Sequence, residues 1–174
     1  MTASSTNREP VLRVLRIVEG TSVDGTGLRT SIYFAGCENR CEGCHNPQSW
    51  DPDGGEAMTV DSLLRRIAEA GMNVTLSGGD PLLHPVEVGV LLQRIKSESD
   101  KTVWCYTGYT FEEVISHPAR RAVMQWVDVL VDGRYVAAER DTSLRFRGSR
   151  NQRIIDVPRS LDEGRAVLLP DTEM

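Results

Sequence analysis

No apolar run in this 174-residue chain approaches the roughly 18 residues of a membrane-crossing helix, so a bilayer role is not expected. Excess positive charge is also missing. The formal net charge is -5, and without a basic footprint no nucleic-acid partner is expected. Histidine is scarce, with three in the chain, and no acid–base pair stands out. Cysteine is sparse as well. There are four, three of them clustered, which is not the pattern of a secreted disulfide framework. The start of the chain is polar and lacks an apolar signal region. These absences lead to the expectation of a cytoplasmic protein whose thiols stay reduced.

What remains is ordinary globular material, 40% apolar and 26% charged, and enough for a single domain with its own core. The domain is expected over 11–157, with flexible tails at 1–10 and 158–174. Leu12 to Val18 alternates as a strand, and Gly20 to Gly27 is a loop. Arg29 to Ala35 reads as a buried strand, and Asp51 to Gly55 as a turn cluster. Val60 to Ala70 puts Leu63, Leu64, Ile67 and Ala68 on one helical face. A short strand, Asn73 to Leu76, ends at Ser77-Gly-Gly-Asp80. Val86 to Ile95 is helical, Thr102 to Tyr106 a strand, and Thr110 with Glu113 has capping-box spacing. Asp128 to Val131 and Arg153 to Val157 are further strands. This rhythm predicts an α/β fold with a parallel sheet. The units are too few to close an eight-fold barrel, so a partial, incomplete (β/α) barrel or an open sheet is expected. Ligands of such sheets bind at the C-terminal ends of strands. The cysteine loop, Ser77 to Asp80 and Thr107 to Tyr109 all follow strands.

The cysteines lie in Gly36-Cys-Glu-Asn-Arg-Cys-Glu-Gly-Cys-His45, a C-x3-C-x2-C spacing. Thiolates suit zinc and iron–sulfur clusters. Three are one short of closing either a structural zinc site or a four-iron cluster. His45 could complete a Cys3His zinc staple. Cys105 could complete an electron-transfer cluster, but its place in an apolar strand reads as core packing. The third possibility is a cluster with one iron left open for chemistry. Of the other histidines, His84 and His117 each precede proline and read as turn or capping residues.

Gly36 to Trp50 resembles the cluster loop of the radical SAM enzymes, and its Cys-His-Asn continuation resembles the activating enzymes of glycyl-radical proteins. Val23-Asp-Gly-Thr-Gly-Leu-Arg29 is similar to that group's VDGPGxR element. Leu76-Ser-Gly-Gly-Asp-Pro-Leu82, Tyr106-Thr-Gly-Tyr109 and the stretch from Val127 to Gln152 narrow the likeness to the activators of the anaerobic ribonucleoside-triphosphate reductase. The likeness runs from about Leu15 to Val157, and the ordered set is far more specific than any one motif.

The resemblance implies a [4Fe–4S] cluster held by Cys37, Cys41 and Cys44, with S-adenosylmethionine on the fourth iron. It implies reductive cleavage to methionine and a 5′-deoxyadenosyl radical, which takes a hydrogen atom from a glycine Cα. The partner would be the large subunit of the anaerobic reductase, a glycyl-radical protein, and the electron donor a reduced flavodoxin or similar protein. Ser77, Gly78, Gly79 and Asp80 would receive the methionine amino group. Asp132 and Arg134 would lie at ribose and carboxylate contacts, and Gly43 and His45 beside the nucleoside. Arg145, Arg147, Arg150 and Arg153 form a late basic stripe, either a solvated face or a seat for partner or cofactor. Two departures stand out: Thr26 replaces the usual proline of the VDGPG loop, and Gly43 replaces an aromatic residue common before the last cysteine. The rivals are an activator of another glycyl-radical enzyme, of the pyruvate formate-lyase type, and a non-enzymatic zinc-stapled binding module.

Overall fold

The structure, a computed structural model, describes residues 9–170. Its centre is a seven-stranded sheet of β1 (Val11–Thr21), β2 (Arg29–Phe34), β3 (Glu56–Thr59), β4 (Asn73–Gly78), β5 (Val103–Tyr106), β6 (Val129–Asp132) and β7 (Arg153–Asp156). The strand order is β3-β1-β2-β4-β5-β6-β7, with β3 and β7 at the edges. β2, β4, β5 and β6 run parallel. β1 is antiparallel to both β2 and β3, and β7 is antiparallel to β6.

The sheet is therefore mixed, not the parallel sheet expected from the strand–helix rhythm, and it is open. The reason lies in the connections. Parallel neighbours need a long crossover, whereas a short loop can join only antiparallel ones. The loop 22–28 is short, so β1 and β2 form a hairpin. Three helical crossovers supply the parallel part. Helix α1 (Val60–Ala70) leads into β4, and α2 (Pro85–Glu98) leads into β5. The short pair α3 (Phe111–Ser116) and α4 (Pro118–Met124) leads into β6.

Local chemistry starts each helix where the pattern does. Thr59 accepts a hydrogen bond from the Ser62 N–H at the head of α1. Both halves of the Thr110–Glu113 capping box are formed on α3. The His117 side chain accepts from the Arg120 N–H and caps α4, in line with the capping reading of that histidine. The apolar face of the helices meets one face of the sheet. Leu63, Leu64, Ile67, Val88, Leu91, Leu92 and Ile95 pack on Ile32, Phe34, Val74, Leu76, Val103 and Leu130. Cys105 is fully buried in that same core.

The opposite face is more polar, with Ser31, Thr75 and Tyr33 among its residues. A smaller apolar cluster of Trp104, Val129, Val131 and Ile154 is covered by Phe146 and Leu169. The Trp104 and Phe146 rings meet edge-on at 5.2 Å. Arg29, fully buried, closes the end of this face where the parallel strands begin. Its guanidinium donates to Thr75 Oγ1 at 2.7 Å, the Val74 carbonyl at 2.6 Å, and the Thr26 and Thr102 carbonyls at 3.0 and 2.9 Å. Burial lowers its pKa to about 10.

The tail expected from Pro158 is instead structured as far as it is described. Asp156 caps a fifth helix, α5 (Val157–Glu163), by accepting from the Arg159 N–H. The chain then turns back along β7. The Asp156 N–H donates to the Val167 carbonyl, and the Leu169 N–H to the Ile154 carbonyl. Val157 and Val167 are buried, so apolar burial holds the segment down. Of the expected N-terminal tail, Glu9 accepts from the Asp61 N–H at 2.7 Å and the Pro10 carbonyl from the Val60 N–H. Residues 1–8 and 171–174 lie outside the described residues.

Candidate metal centre

Four parallel strands end on the same side of the sheet, and each delivers a loop there. The cysteine loop follows β2, Ser77 to Asp80 follows β4, Thr107 to Tyr109 follows β5, and Gly133 to Tyr135 follows β6. Together they line an open recess of about 120 Å³. Cys37, Cys41, Cys44 and His45 line it, together with Ser77, Gly78 and Gly79. Tyr106, Thr107, Gly108, Gly133, Tyr135 and Gln152 line it as well.

The cysteine loop reaches this shape through strained turns. Arg40 sits at φ 43, a left-handed conformation uncommon outside glycine. Its start is clamped to neighbouring loops by backbone bonds. Gly36 N–H donates to Ser49 O, and Asp80 N–H donates to Gly36 O, both at 2.8 Å. That clamp explains the Gly-Gly pair. A Cβ on Gly79 would stand 2.2 Å from the Gly36 carbonyl oxygen, so only glycine allows the two loops to approach so closely.

The three thiols are half-buried. Burial pushes the Cys37 thiol up, and N–H groups of Asn39 and Arg40 work against that rise. The Cys44 sulfur accepts from the Asn46 N–H at 3.4 Å. Thiolate donors with backbone N–H groups aimed at them are what an iron–sulfur cluster takes. Among the described residues, no three His, Cys, Asp or Glu side chains are arranged to hold a single metal ion. Three thiols in one recess are the donor type that an iron–sulfur cluster takes.

The acidic residues expected to meet the cofactor are engaged in hydrogen bonds within the protein. Asp80 is 1% exposed, and both its oxygens are occupied. They accept from the Leu82 N–H at 3.0 Å, the Gly108 N–H at 3.0 Å, the Thr107 hydroxyl at 2.9 Å and Asn39 Nδ2 at 3.1 Å. Burial pushes its pKa up to about 6 against the pull of those donors. Its bonds make it a strut between the cysteine loop and the loops after β4 and β5. Asp132 is likewise buried. It accepts from the Phe111 N–H at 2.6 Å and from Arg153 at 3.0 and 2.5 Å. Arg134 is exposed and donates to Asn39 Oδ1 at 2.9 Å. Gly43 and His45 stand at the exposed edge, and His45 lines the recess.

The basic stripe divides. Arg153 serves Asp132 and Glu112. Arg147 donates to the Gln152 carbonyl at 2.9 Å, and Arg150 lies 3.8 Å from Asp141. Sequence reading missed Asn39, Tyr135 and Gln152. Gln152 holds the rim together: its Oε1 accepts from the Gly148 and Ser149 N–H groups, and its Nε2 donates to the Gly133 carbonyl. Only its place at the end of the Arg-Gly-Ser-Arg-Asn-Gln run pointed to it.

Comparison with known proteins shows the family. The family described as a 4Fe-4S single cluster domain matches residues 23–155. The chain is 40% identical over 142 residues to the anaerobic ribonucleoside-triphosphate reductase-activating protein of Haemophilus influenzae, covering 75% of this chain and 88% of that one. It is 36% identical over 140 residues to the protein of the same name from Escherichia coli K12, covering 75% and 89%. The bacteriophage T4 protein of that name is 32% identical over 146 residues, covering 80% and 90%. Among solved structures, QueE from Escherichia coli superposes with a TM-score of 0.50 at 18% identity, over 57% of this chain and about half of QueE (53%). That likeness concerns the fold.

Proposed function

The chain belongs to the family of the anaerobic ribonucleoside-triphosphate reductase-activating proteins, and on that premise we propose that it installs the glycyl radical of that reductase by radical SAM chemistry. The single observation that carries this reading is the recess, lined by three thiols and by Ser77, Gly78 and Gly79 at the ends of parallel strands. When bound and reduced, the cluster with S-adenosylmethionine supplies a 5′-deoxyadenosyl radical that takes a hydrogen atom from a glycine Cα of the reductase.

The chain's own residues bind, orient and shield. Cys37, Cys41 and Cys44 would hold the cluster, and S-adenosylmethionine would bind beside it. The backbone of Ser77, Gly78 and Gly79 receives the methionine end, and Asp80 holds that backbone in place from below. Gly43 and His45 flank the nucleoside. Asp132 acts through Arg153 and the start of α3, while Arg134 acts at the rim. The open sheet is read as an incomplete barrel, whose uncovered side admits a glycine loop of the partner. One electron per turnover comes from a small reduced donor such as a flavodoxin.

The test is anaerobic reconstitution followed by mixing with the reductase. About four irons and four sulfides per chain, and a glycyl doublet in the electron paramagnetic resonance spectrum of the mixture, are expected. A colourless protein with stoichiometric zinc would replace this reading with the zinc-stapled module, to which His45 would lend the fourth ligand. A cluster that yields the doublet only with a different glycyl-radical enzyme would assign the partner anew.

A further inference from the structure

Asn39 lies inside the C-x3-C spacing, and its carboxamide is held on every side. Nδ2 stands 3.1 Å from Asp80 Oδ2 and 3.9 Å from the Cys37 sulfur. Oδ1 accepts from Arg134 Nε at 2.9 Å. Gly108 packs so closely that a Cβ there would fall 2.2 Å from Nδ2. The partners fix which end is which. A guanidinium can only donate and a carboxylate accepts, so the oxygen must face Arg134 and the NH2 must face Asp80. Nδ2 carries a second N–H, and the Cys37 sulfur lies within reach of it at 3.9 Å. A flipped amide would set oxygen against carboxylate and NH2 against guanidinium.

We infer that Asn39 is a positioning residue that donates a hydrogen bond to the first cluster thiolate and locks that thiolate to the loops after β4 and β6. The inference rests on Cys37 being a cluster ligand, as proposed above. Its consequence is electronic as well as mechanical. Hydrogen bonds to cluster sulfurs stabilise the more electron-rich, reduced state and raise the potential. Arg134 polarises the same amide by pulling on its oxygen, so the two residues act in one direction.

The experiment is a dye-mediated potential titration of the reconstituted protein alone, without reductase, on the parent, Asn39→Leu and Arg134→Ala. Asn39→Leu removes the donor. Its equilibrium constant for reduction is expected to fall about threefold to tenfold, or about 30–60 mV for one electron. Arg134→Ala leaves the donor but unclamps it, and a smaller shift of the same sign is expected. A parent-like potential in Asn39→Leu overturns the inference. If Asn39→Leu takes up no cluster, Arg134→Ala decides, and a parent-like potential there overturns it equally. A parent protein that itself takes up no iron would defeat the proposed function instead, so the two failures are distinct.

Discussion

Replacing Asp80 with alanine tests whether this carboxylate is a strut. In the folded protein it accepts from four groups, and its side chain is 1% exposed. Alanine strands them. The Leu82 N–H and the Thr107 hydroxyl make buried bonds, while Asn39 and Gly108 lie nearer the recess and can turn to water. Each stranded buried donor costs about 1–3 kcal/mol, so two cost about 2–6 kcal/mol. At pH 7 the loss of an unfavourably buried charge offsets part of this, and about 2–4 kcal/mol is expected. A domain of this size has only about 5–15 kcal/mol of stability. The assay is equilibrium urea unfolding of the apo protein, with the midpoint lowered and the slope unchanged.

Acidity provides a second reading of the same variant pair. The folded pKa of Asp80, about 6, lies above the ordinary value of 3.8. The stability linked to its protonated form is therefore fully present below pH 3.8 and lost as the pH rises through about 6. The parent should gain on Asp80→Asn by up to about 3 kcal/mol between pH 7 and pH 4. An alanine variant within about 0.5 kcal/mol of the parent would refute the strut, and a parent–variant gap that stays flat with pH would refute the raised pKa.

Gly79→Ala should lower stability by about 1–3 kcal/mol or more by forcing the loop after β4 off the Gly36 carbonyl, and should reduce iron uptake on reconstitution; unfolding and iron analysis check both. Arg29→Lys replaces a fork that reaches both Thr75 Oγ1 and three backbone carbonyls with a single ammonium, and about 2–4 kcal/mol should be lost in urea unfolding. A chain ending at Asp156 exposes the packing sites of Val157 and Val167, and each buried valine contributes about 1.5 kcal/mol or more; a thermal midpoint equal to that of the full chain would show that the segment after β7 is only a passenger.

Some of what sequence reading missed had a local signal. Asp156 followed by Val-Pro, with Gly164 at the far end, is a capped helix in miniature. The antiparallel pairing of β1 with β2 was likewise implied by the shortness of loop 22–28. The basic stripe had no such signal. Its four arginines are close in sequence, yet Arg153 turns to a buried aspartate while Arg147 turns to a backbone carbonyl. Spacing along an irregular loop does not set direction as helical or strand periodicity does.

The sequence by itself determined the chemistry-bearing loops and their order. Cysteine spacing, strand pattern and turn residues are short-range properties, and each loop is written within about ten consecutive positions. Which polar side chains face the recess and which hold it up was decided only by tertiary structure. Asn39 meets Asp80 across 41 positions and Arg134 across 95. Whether an aspartate is a ligand contact or a strut depends on the donors that surround it. Those donors come from strands adjacent in space, and only the folded sheet brings them together.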